Sequence, residues 1–210
     1  MKKRLALPAF TLAVTACSNA PTPPVTGNGH LGDAPLTLTG RIVNYDPTSG
    51  NTLKAYYESA LVAQTNVAGT GDFSVTLPKP TATQLFDSQA FSSCGTNPTL
   101  SRNITASAPA PQVQTPSLTV GTDFHSLART TASTDTSPVT LVVYTYADQP
   151  GSINGTVVCQ VSSGTRTMNW NATFEKGWNT LIVRSSSTLG NVTYNYTVEG
   201  IPNGPTWTTL

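Results

Sequence analysis

One histidine with an aspartate and a serine beside it is the most reactive grouping in this chain. The segment Thr122-Asp123-Phe124-His125-Ser126 holds the only histidine after residue 35. A Ser-His-Asp triad needs a histidine to accept the proton from the serine. A triad is a spatial arrangement, however, and neighbours in one loop rarely face one another correctly. The chain also has no Gly-x-Ser-x-Gly nucleophile elbow. We therefore predict that His125 is a loop residue without a catalytic role and that the protein is not an enzyme.

Ligands for a metal ion are equally sparse. A zinc site needs about four close His, Cys or carboxylate ligands, whereas the chain beyond residue 35 has one histidine, two distant cysteines and scattered acids. It has no Asp-x-Asp-x-Asp-Gly calcium loop and no glycine-rich phosphate loop. A Ca²⁺ site at turn residues such as Asp46 or Asp148 stays open as an alternative to an aspartate that binds turn amides. We predict no metal and no cofactor.

Aromatic side chains offer a third chemistry, the stacking of a sugar ring. Trp170, Tyr194 and Tyr196 fall on the apolar faces of their predicted strands, so we expect them to pack in a core. Trp178 follows a turn at Gly177, and Trp207 lies near the last residue. These two tryptophans are therefore the candidates for a ligand platform.

The first twenty residues carry the features of an export signal. Lys2, Lys3 and Arg4 precede an apolar run over residues 5–14, which is too short to cross a bilayer core of about 30 Å as a helix. The next residues, Val14-Thr15-Ala16-Cys17, resemble a bacterial lipobox. The resemblance implies that residues 1–16 are a cleaved signal peptide and that Cys17 is acylated, for example with palmitate, and attached to a membrane. The alternative is an ordinary signal peptide with a chance cysteine. Ser18 implies the outer membrane if the source has two membranes.

The composition excludes several other classes of protein. The chain has 210 residues, a formal net charge of +1, 10% charged residues, 36 threonines and 19 serines. Loss of the leader would leave eight basic and ten acidic side chains. A weakly acidic protein does not bind nucleic acid or anionic lipid through charge, so membrane attachment would depend on the lipid. The low content of helix-favouring residues argues against a helical bundle.

The elements that must position these residues are predicted to be strands. Residues 17–35, rich in Pro, Gly and Thr, are predicted to be the acylated cysteine and a flexible tether that includes His30. From Leu36 the apolar residues recur with a period of two, which is typical of half-buried antiparallel strands. Three segments, TGRIV (39–43), LKAY (53–56) and GDFSVTLP (71–78), resemble the opening of transthyretin-like or carboxypeptidase-regulatory-like modules. The resemblance, over residues 36–78, implies a β-sandwich with a stabilising, adhesive or ligand-presenting role, and it supplies no functional residue.

The rest of the chain continues this pattern with varying clarity. Residues 103–105 and 117–120 are predicted as short strands, residues 85–91 as a strand or a helical turn, and residues 108–116 as a possible sub-boundary. Residues 139–146 are apolar on both faces, which predicts a central strand. Further alternating segments up to residue 198 predict a meander or one half of a sandwich. We therefore expect an all-β chain with an antiparallel β-sandwich over residues 36–210.

The two cysteines of this body are predicted to form a disulfide. An exported chain meets oxidising conditions, in which a pair of cysteines tends to close. Cys159 falls on the apolar face of its strand, and Cys94 lies in a loop with little apolar content. The bond would close a loop of about 65 residues and add about 4 kcal/mol in the chain-entropy model. Two separate thiols, with Cys159 as a small core residue, are the alternative.

These observations favour a membrane-anchored cell-envelope lipoprotein with a structural, interaction or adhesion role. Its partner would be an envelope protein or a polysaccharide, and nucleic acid is not expected. The alternatives are a surface module that binds carbohydrate or a small ligand, and an envelope hydrolase. A flat polar surface or an exposed sheet edge would favour the first. Exposed coplanar aromatics would favour the second, and a pocket lined by His125 and two acids the third.

Overall fold

The computed structural model describes residues 27–88, 93–121, 125–131 and 139–209, and its regular structure is almost entirely β. The first strands in these ranges are β1 (His30–Gly32), β2 (Leu36–Arg41), β3 (Thr52–Tyr57), β4 (Ala60–Asn66), β5 (Asp72–Leu77), β6 (Phe86–Asp87), β7 (Thr99–Ala106) and β8 (Gln112–Gln114). The others are β9 (Ser117–Val120), β10 (His125–Thr130), β11 (Val139–Ala147), β12 (Gly151–Val161), β13 (Gly164–Phe174), β14 (Gly177–Thr188), β15 (Asn191–Val198) and β16 (Thr206–Thr209). Two 3₁₀ turns, Pro47–Ser49 and Ala82–Gln84, join them. The predicted all-β class is confirmed.

Most strands belong to one large mixed sheet. Its main path runs β4-β3-β9-β10-β11-β14-β15-β13-β12-β7, with β1, β16, β6 and β8 attached at the side, while β2 and β5 form a separate pair. The pairing is antiparallel except that β13 and β15 are parallel. The predicted antiparallel arrangement is wrong for this one pair of strands. Of the two alternatives offered for the segments up to residue 198, the meander is wrong, because these strands lie in the order β11-β14-β15-β13-β12. Because β15 inserts between the oppositely directed strands β13 and β14, it must be parallel to one of them.

Two hydrophobic cores share the strands β11 and β14. Val142 and Ile182 project from these strands into the first core. Leu141, Val143 and Leu181 project from the opposite face into the second. The prediction that residues 139–146 form a central strand is confirmed, because β11 lies between β10 and β14. Alternation with a period of two makes this possible, since successive side chains of a strand point to opposite faces.

The first core is covered by the separate pair of strands β2 and β5. Their buried and partly exposed residues alternate, so that one face is apolar throughout. Leu53 and Tyr57 of β3 lie in the same core and are fully buried. The Tyr57 hydroxyl donates to the carbonyl of Pro78, which satisfies the polar end of a buried aromatic residue.

Residues 27–35 are bound to the sheet, which corrects the prediction that they belong to a flexible tether. β1 pairs with the start of β14, and the amide of Thr180 donates to the Gly29 carbonyl at 2.8 Å. Gly29 has a φ of +79°, and a Cβ there would lie 2.5 Å from the Glu199 carbonyl oxygen. Glycine in this segment therefore allows two backbones to approach closely, a role that composition cannot distinguish from flexibility. The Tyr146 hydroxyl donates to Asp33 at 2.7 Å and secures the end of the segment.

The segments with weaker sequence signals are also strands. Residues 103–105 lie in β7 and residues 117–120 form β9, as predicted. In the stretch 85–91, Phe86–Asp87 form β6, which pairs with β8, and residues 89–91 lie outside the described residues. None of the described segments is a helix of the length and apolar character needed to cross a membrane.

Candidate functional site

The residues predicted for lipidation and weighed for catalysis are only partly described. Cys17, Asp123 and the side chain of His125 lie outside the described residues. The backbone of His125 begins β10, so the prediction that this residue lies in a loop is wrong. Ser126, the next residue, is exposed. The acylation of Cys17 and the absence of a catalytic role for His125 stay predictions.

The aspartates weighed as calcium ligands have protein partners. Asp46 accepts hydrogen bonds from the amide and the hydroxyl of Thr48, at 2.9 and 2.7 Å. These hydrogen bonds hold the pKa of Asp46 below its usual range, and the hydroxyl of Thr48 has a larger effect than its amide. Asp148 accepts a hydrogen bond from the amide of Gln112 at 2.9 Å. Within the described residues, no three His, Cys, Asp or Glu side chains lie close enough together to hold a metal ion.

The two tryptophans predicted as a ligand platform are buried, so that prediction is wrong. Trp178 is 0% exposed and Trp207 is 5% exposed. The ring of Trp207 packs edge-on against Phe73, at 5.2 Å between centroids, and stacks with Tyr144 at 6.1 Å. Trp178 packs edge-on against Tyr146. Neither indole presents a face to solvent, because each is used to fill the first core.

The predicted disulfide between Cys94 and Cys159 is confirmed. The two Cα atoms are 5.5 Å apart, and the bond joins residues 65 positions apart in the chain. Cys159 is fully buried in β12, as its strand face predicted, and Cys94 is 6% exposed. The Cys94 carbonyl accepts the amide of Asn97, which forms a tight turn beside the bond. The disulfide therefore ties this turn to the second core.

A polar surface on four neighbouring strands is the most regular feature of the exterior. β15, β13, β12 and β7 are adjacent, and their residues opposite the second core lie in register across the sheet. We refer to these residues as the polar face. They are Ser101, Asn103, Thr105, Ser152, Asn154, Thr156, Val158, Gln160, Thr165, Thr167, Asn169, Asn171, Thr173, Thr193, Asn195 and Thr197. All are exposed or half-buried, Val158 is the one apolar member, and none is charged.

Hydrogen bonds link the polar face across its strands. The Thr156 hydroxyl donates to the amide oxygen of Asn169 at 3.0 Å, and the Asn169 amide nitrogen donates to the amide oxygen of Asn195 at 3.0 Å. Neighbouring strands lie about 4.8 Å apart, and alternate residues of a strand about 6.7 Å apart. The surface is thus a grid of hydroxyl and amide groups at a spacing that the backbone imposes. Each asparagine amide carries two donors and an acceptor, and each threonine hydroxyl can donate and accept.

The polar face ends where the cover of the first core begins. On β14 the same face carries Arg184, and farther along the strand it carries the buried Ile182 and Trp178. The Arg184 guanidinium donates to the carboxylate of Glu199 and, at 3.3 Å, to the hydroxyl of Thr197. Arg184 therefore has a carboxylate partner, and the residues of the polar face carry no charge. Such a surface can bind by hydrogen bonding, and it holds no group that could act as a general base or nucleophile near neutral pH.

The sequence contains part of the signal for this surface. Alternation predicts Thr and Asn on the outward side of each strand, which is what β12, β13 and β15 show. Periodicity within a strand does not predict which strands are neighbours, and the parallel pairing of β13 with β15 brings Asn169 beside Asn195.

Searches against protein families, curated proteins and solved structures found no match to this chain.

Proposed function

We propose that this protein is a lipid-anchored, non-catalytic component of a bacterial cell envelope that adheres to a neutral polysaccharide through its polar face. The observation that carries the proposal is the uncharged grid of Asn, Thr and Ser side chains on β7, β12, β13 and β15. The envelope location rests on the basic and apolar leader and on the lipobox-like Val14-Thr15-Ala16-Cys17.

The chemistry of the polar face favours a polyhydroxylated polymer over other partners. Nucleic acids are held through phosphate contacts with Lys and Arg, and the polar face has neither. The centre of a protein interface is enriched in aromatic residues, Met and Arg, whereas this surface offers only Val158 as an apolar contact. A neutral sugar polymer presents rows of hydroxyl groups, which both donate and accept. The amide and hydroxyl groups of the polar face match that requirement without the cost of burying a charge.

We also infer that the body is a β-sandwich. The pair β2–β5 lies over the first core, while β3, β10, β11 and β14 of the large sheet supply side chains from its other side. Two β layers whose inner faces interdigitate over a shared core define that architecture. The transthyretin-like resemblance of residues 36–78 stays a prediction.

Retention on insoluble polymers tests the role of the polar face. The purified full chain in detergent is mixed with amorphous cellulose, with chitin and with an alginate gel, which represent neutral and acidic polymers. We expect retention on at least one neutral polymer and little on alginate. Loss of two hydrogen bonds of about 1 kcal/mol each should weaken retention at least tenfold in the Asn171→Ala/Asn195→Ala variant. Asn66→Ala, an exposed asparagine on β4 away from the polar face, is the matched control.

The outcomes are distinct. If the wild-type chain is retained on none of the neutral polymers, the proposed ligand class is wrong. If Asn66→Ala loses as much retention as the double variant, the polar face is not the binding surface.

Mass spectrometry and cell fractionation test the anchor separately. We expect the mature N-terminal peptide to begin at an acylated Cys17, and Cys17→Ser to move the protein out of the membrane fraction. An unmodified Cys17, or a Cys17→Ser variant that remains with membranes, would contradict the lipid anchor and leave the test of the polar face unaffected.

A further inference from the structure

The large sheet forks beside β11, and the fork leaves a cleft. The edge of β11 away from β14 is shared by two strands. β10 pairs with it at Leu141 and Val142, and β8 pairs with it at Tyr146 and Ala147. Between these contacts, β10 diverges toward β9 and away from β11. The result is a cleft of about 200 Å³ between β11, the start of β9 and the middle of β10.

The lining of this cleft combines hydroxyl groups, aromatic rings and one cation. Its polar members include Thr115, Ser117, Ser126 and the guanidinium-bearing Arg129, and its aromatic members are Tyr144 and Trp207. The two rings stack with an interplanar angle of 15°. Burial, the larger influence, raises the pKa of Tyr144 although the nearby Arg129 opposes it, so the phenol is neutral at physiological pH.

Arg129 is a half-buried cation that forms no ion pair with any described residue. Its Nε donates to the carbonyl of Pro205 at 3.4 Å, and its Nη1 donates to the Tyr144 hydroxyl at 3.3 Å. Both bonds are long and both acceptors are neutral. A guanidinium has five N–H donors arranged for bidentate contact with a planar anion. Only two of those of Arg129 are used by described residues. Of the other half-buried arginines in this sheet, Arg184 has the carboxylate of Glu199, and Arg166 on β13 does not line the cleft.

We propose that this cleft binds a small organic monocarboxylate of about the size of a monosaccharide, with its carboxylate on Arg129. The geometry supports a carboxylate because a single guanidinium matches one planar monoanion, whereas phosphate groups are usually held by several cationic or amide donors. The volume is smaller than the roughly 300–1,000 Å³ of pockets for drug-sized ligands, which limits the size. The hydroxyls of Ser117 and Ser126 can bind polar substituents of the ligand. The Thr115 hydroxyl is hydrogen-bonded to that of Thr145 at 3.2 Å, and the buried indole of Trp207 forms part of the cleft wall.

Glucuronate and glucose form a matched pair of probes for this site, because they share a pyranose ring and differ in the carboxylate. Calorimetry on the full chain in detergent should show saturable binding of glucuronate and at least tenfold weaker binding of glucose. Arg129→Gln should lower the glucuronate affinity roughly tenfold to a hundredfold, as expected for loss of a charged hydrogen bond. Arg166→Gln on β13 is the matched control and should bind as the wild type does.

A second measurement needs no variant at the site. In NMR titrations with glucuronate, the indole N–H signal of Trp207 should shift, while that of Trp178, which does not line the cleft, should not. Equal affinity for glucose and glucuronate, an unshifted Trp207 signal, or equal losses in Arg129→Gln and Arg166→Gln would overturn the proposal. Tighter binding of inorganic phosphate than of glucuronate would overturn the assignment to a carboxylate. None of these results depends on retention by the polar face.

Discussion

Replacing Gly40 with alanine should destabilise the protein through one defined contact, the indole of Trp207. A Cβ at residue 40 would lie 2.3 Å from Cδ1 and 2.4 Å from Nε1 of that ring. The ring cannot move freely, because it is 5% exposed and packed against Phe73 and Tyr144. Since Gly40 does not have a positive φ, the backbone itself accepts alanine, and the cost comes from the collision.

The magnitude follows from the two opposing effects of the added methyl group. Overpacking a core costs about 1–3 kcal/mol, and restriction of the unfolded chain returns about 0.4–1 kcal/mol. We therefore expect Gly40→Ala to lower the free energy of unfolding by about 1–2 kcal/mol. Trp207→Ala alone should cost about 3–5 kcal/mol. With the indole gone the methyl has room, so Gly40→Ala in that background should be neutral or stabilising by up to about 1 kcal/mol.

Urea unfolding of the wild type, both single variants and the double variant, followed by far-UV circular dichroism, measures this coupling. The coupling energy between the two positions should be about 1–3 kcal/mol. Gly69→Ala is the control, because a Cβ there would meet nothing within 4 Å. If Gly40→Ala costs the same with and without the indole, the collision with Trp207 is not the cause and the argument fails.

Three further predictions concern the disulfide and two ionisable groups. Replacing both Cys94 and Cys159 with alanine should lower the free energy of unfolding by about 4 kcal/mol, and a loss below about 1 kcal/mol in urea titrations would contradict the loop-closure argument. The Tyr146 hydroxyl lowers the pKa of Asp33, so the carboxylate stabilises the fold above the usual Asp pKa of about 4, and this contribution is lost as pH falls. The protection of the β1 amides, measured as their exchange rate relative to that of the unfolded chain at the same pH, should therefore decrease between pH 5 and pH 2, and Asp33→Asn should remove that dependence. Burial raises the pKa of the Tyr57 phenol. The protonated phenol therefore contributes fully to the free energy of unfolding below the unfolded pKa of about 10, and this contribution is lost as pH rises. Above pH 10, Tyr57→Phe should reduce the fall in the free energy of unfolding by up to about 1.4 kcal/mol per pH unit.

Those features of the fold that depend only on residues close together in the sequence could be predicted. Apolar residues on both sides of residues 139–146 predicted a central strand, and β11 indeed contributes to both cores. The face of Cys159 predicted its burial, and the oxidising conditions of export predicted its partner. Both predictions rest on alternation within single strands and on the tendency of two cysteines in an exported chain to form a disulfide. Neither prediction requires the order of the strands in the sheet.

Contacts between distant segments were not predictable, because alternation contains no information about strand order. Trp207 lies near the end of the chain with polar neighbours, yet its ring packs on Gly40 near the beginning. The stretch 27–35 has the composition of a linker, but backbone pairing with β14 needs no particular side chains. The parallel alignment of β13 and β15 has the same origin, since it depends on where the β14–β15 hairpin inserts.

If Cys17 is acylated as proposed, the bound N-terminal segment would favour one orientation of the polar face on the membrane. Nine residues, 18–26, separate Cys17 from Gly27. A fully extended chain spans at most about 3.6 Å per residue, so with Cys17 anchored, Gly27 would lie within about 36 Å of it. The Gly27 carbonyl accepts the amide of Gly200, just beyond β15, and β1 pairs with the first residues of β14. These strand ends would face the membrane. In a protein anchored in this way, the strands of the polar face would extend away from the membrane toward the turns at 162–163 and 189–190. The polar face would then be roughly perpendicular to the membrane surface and accessible to a polymer beside the protein.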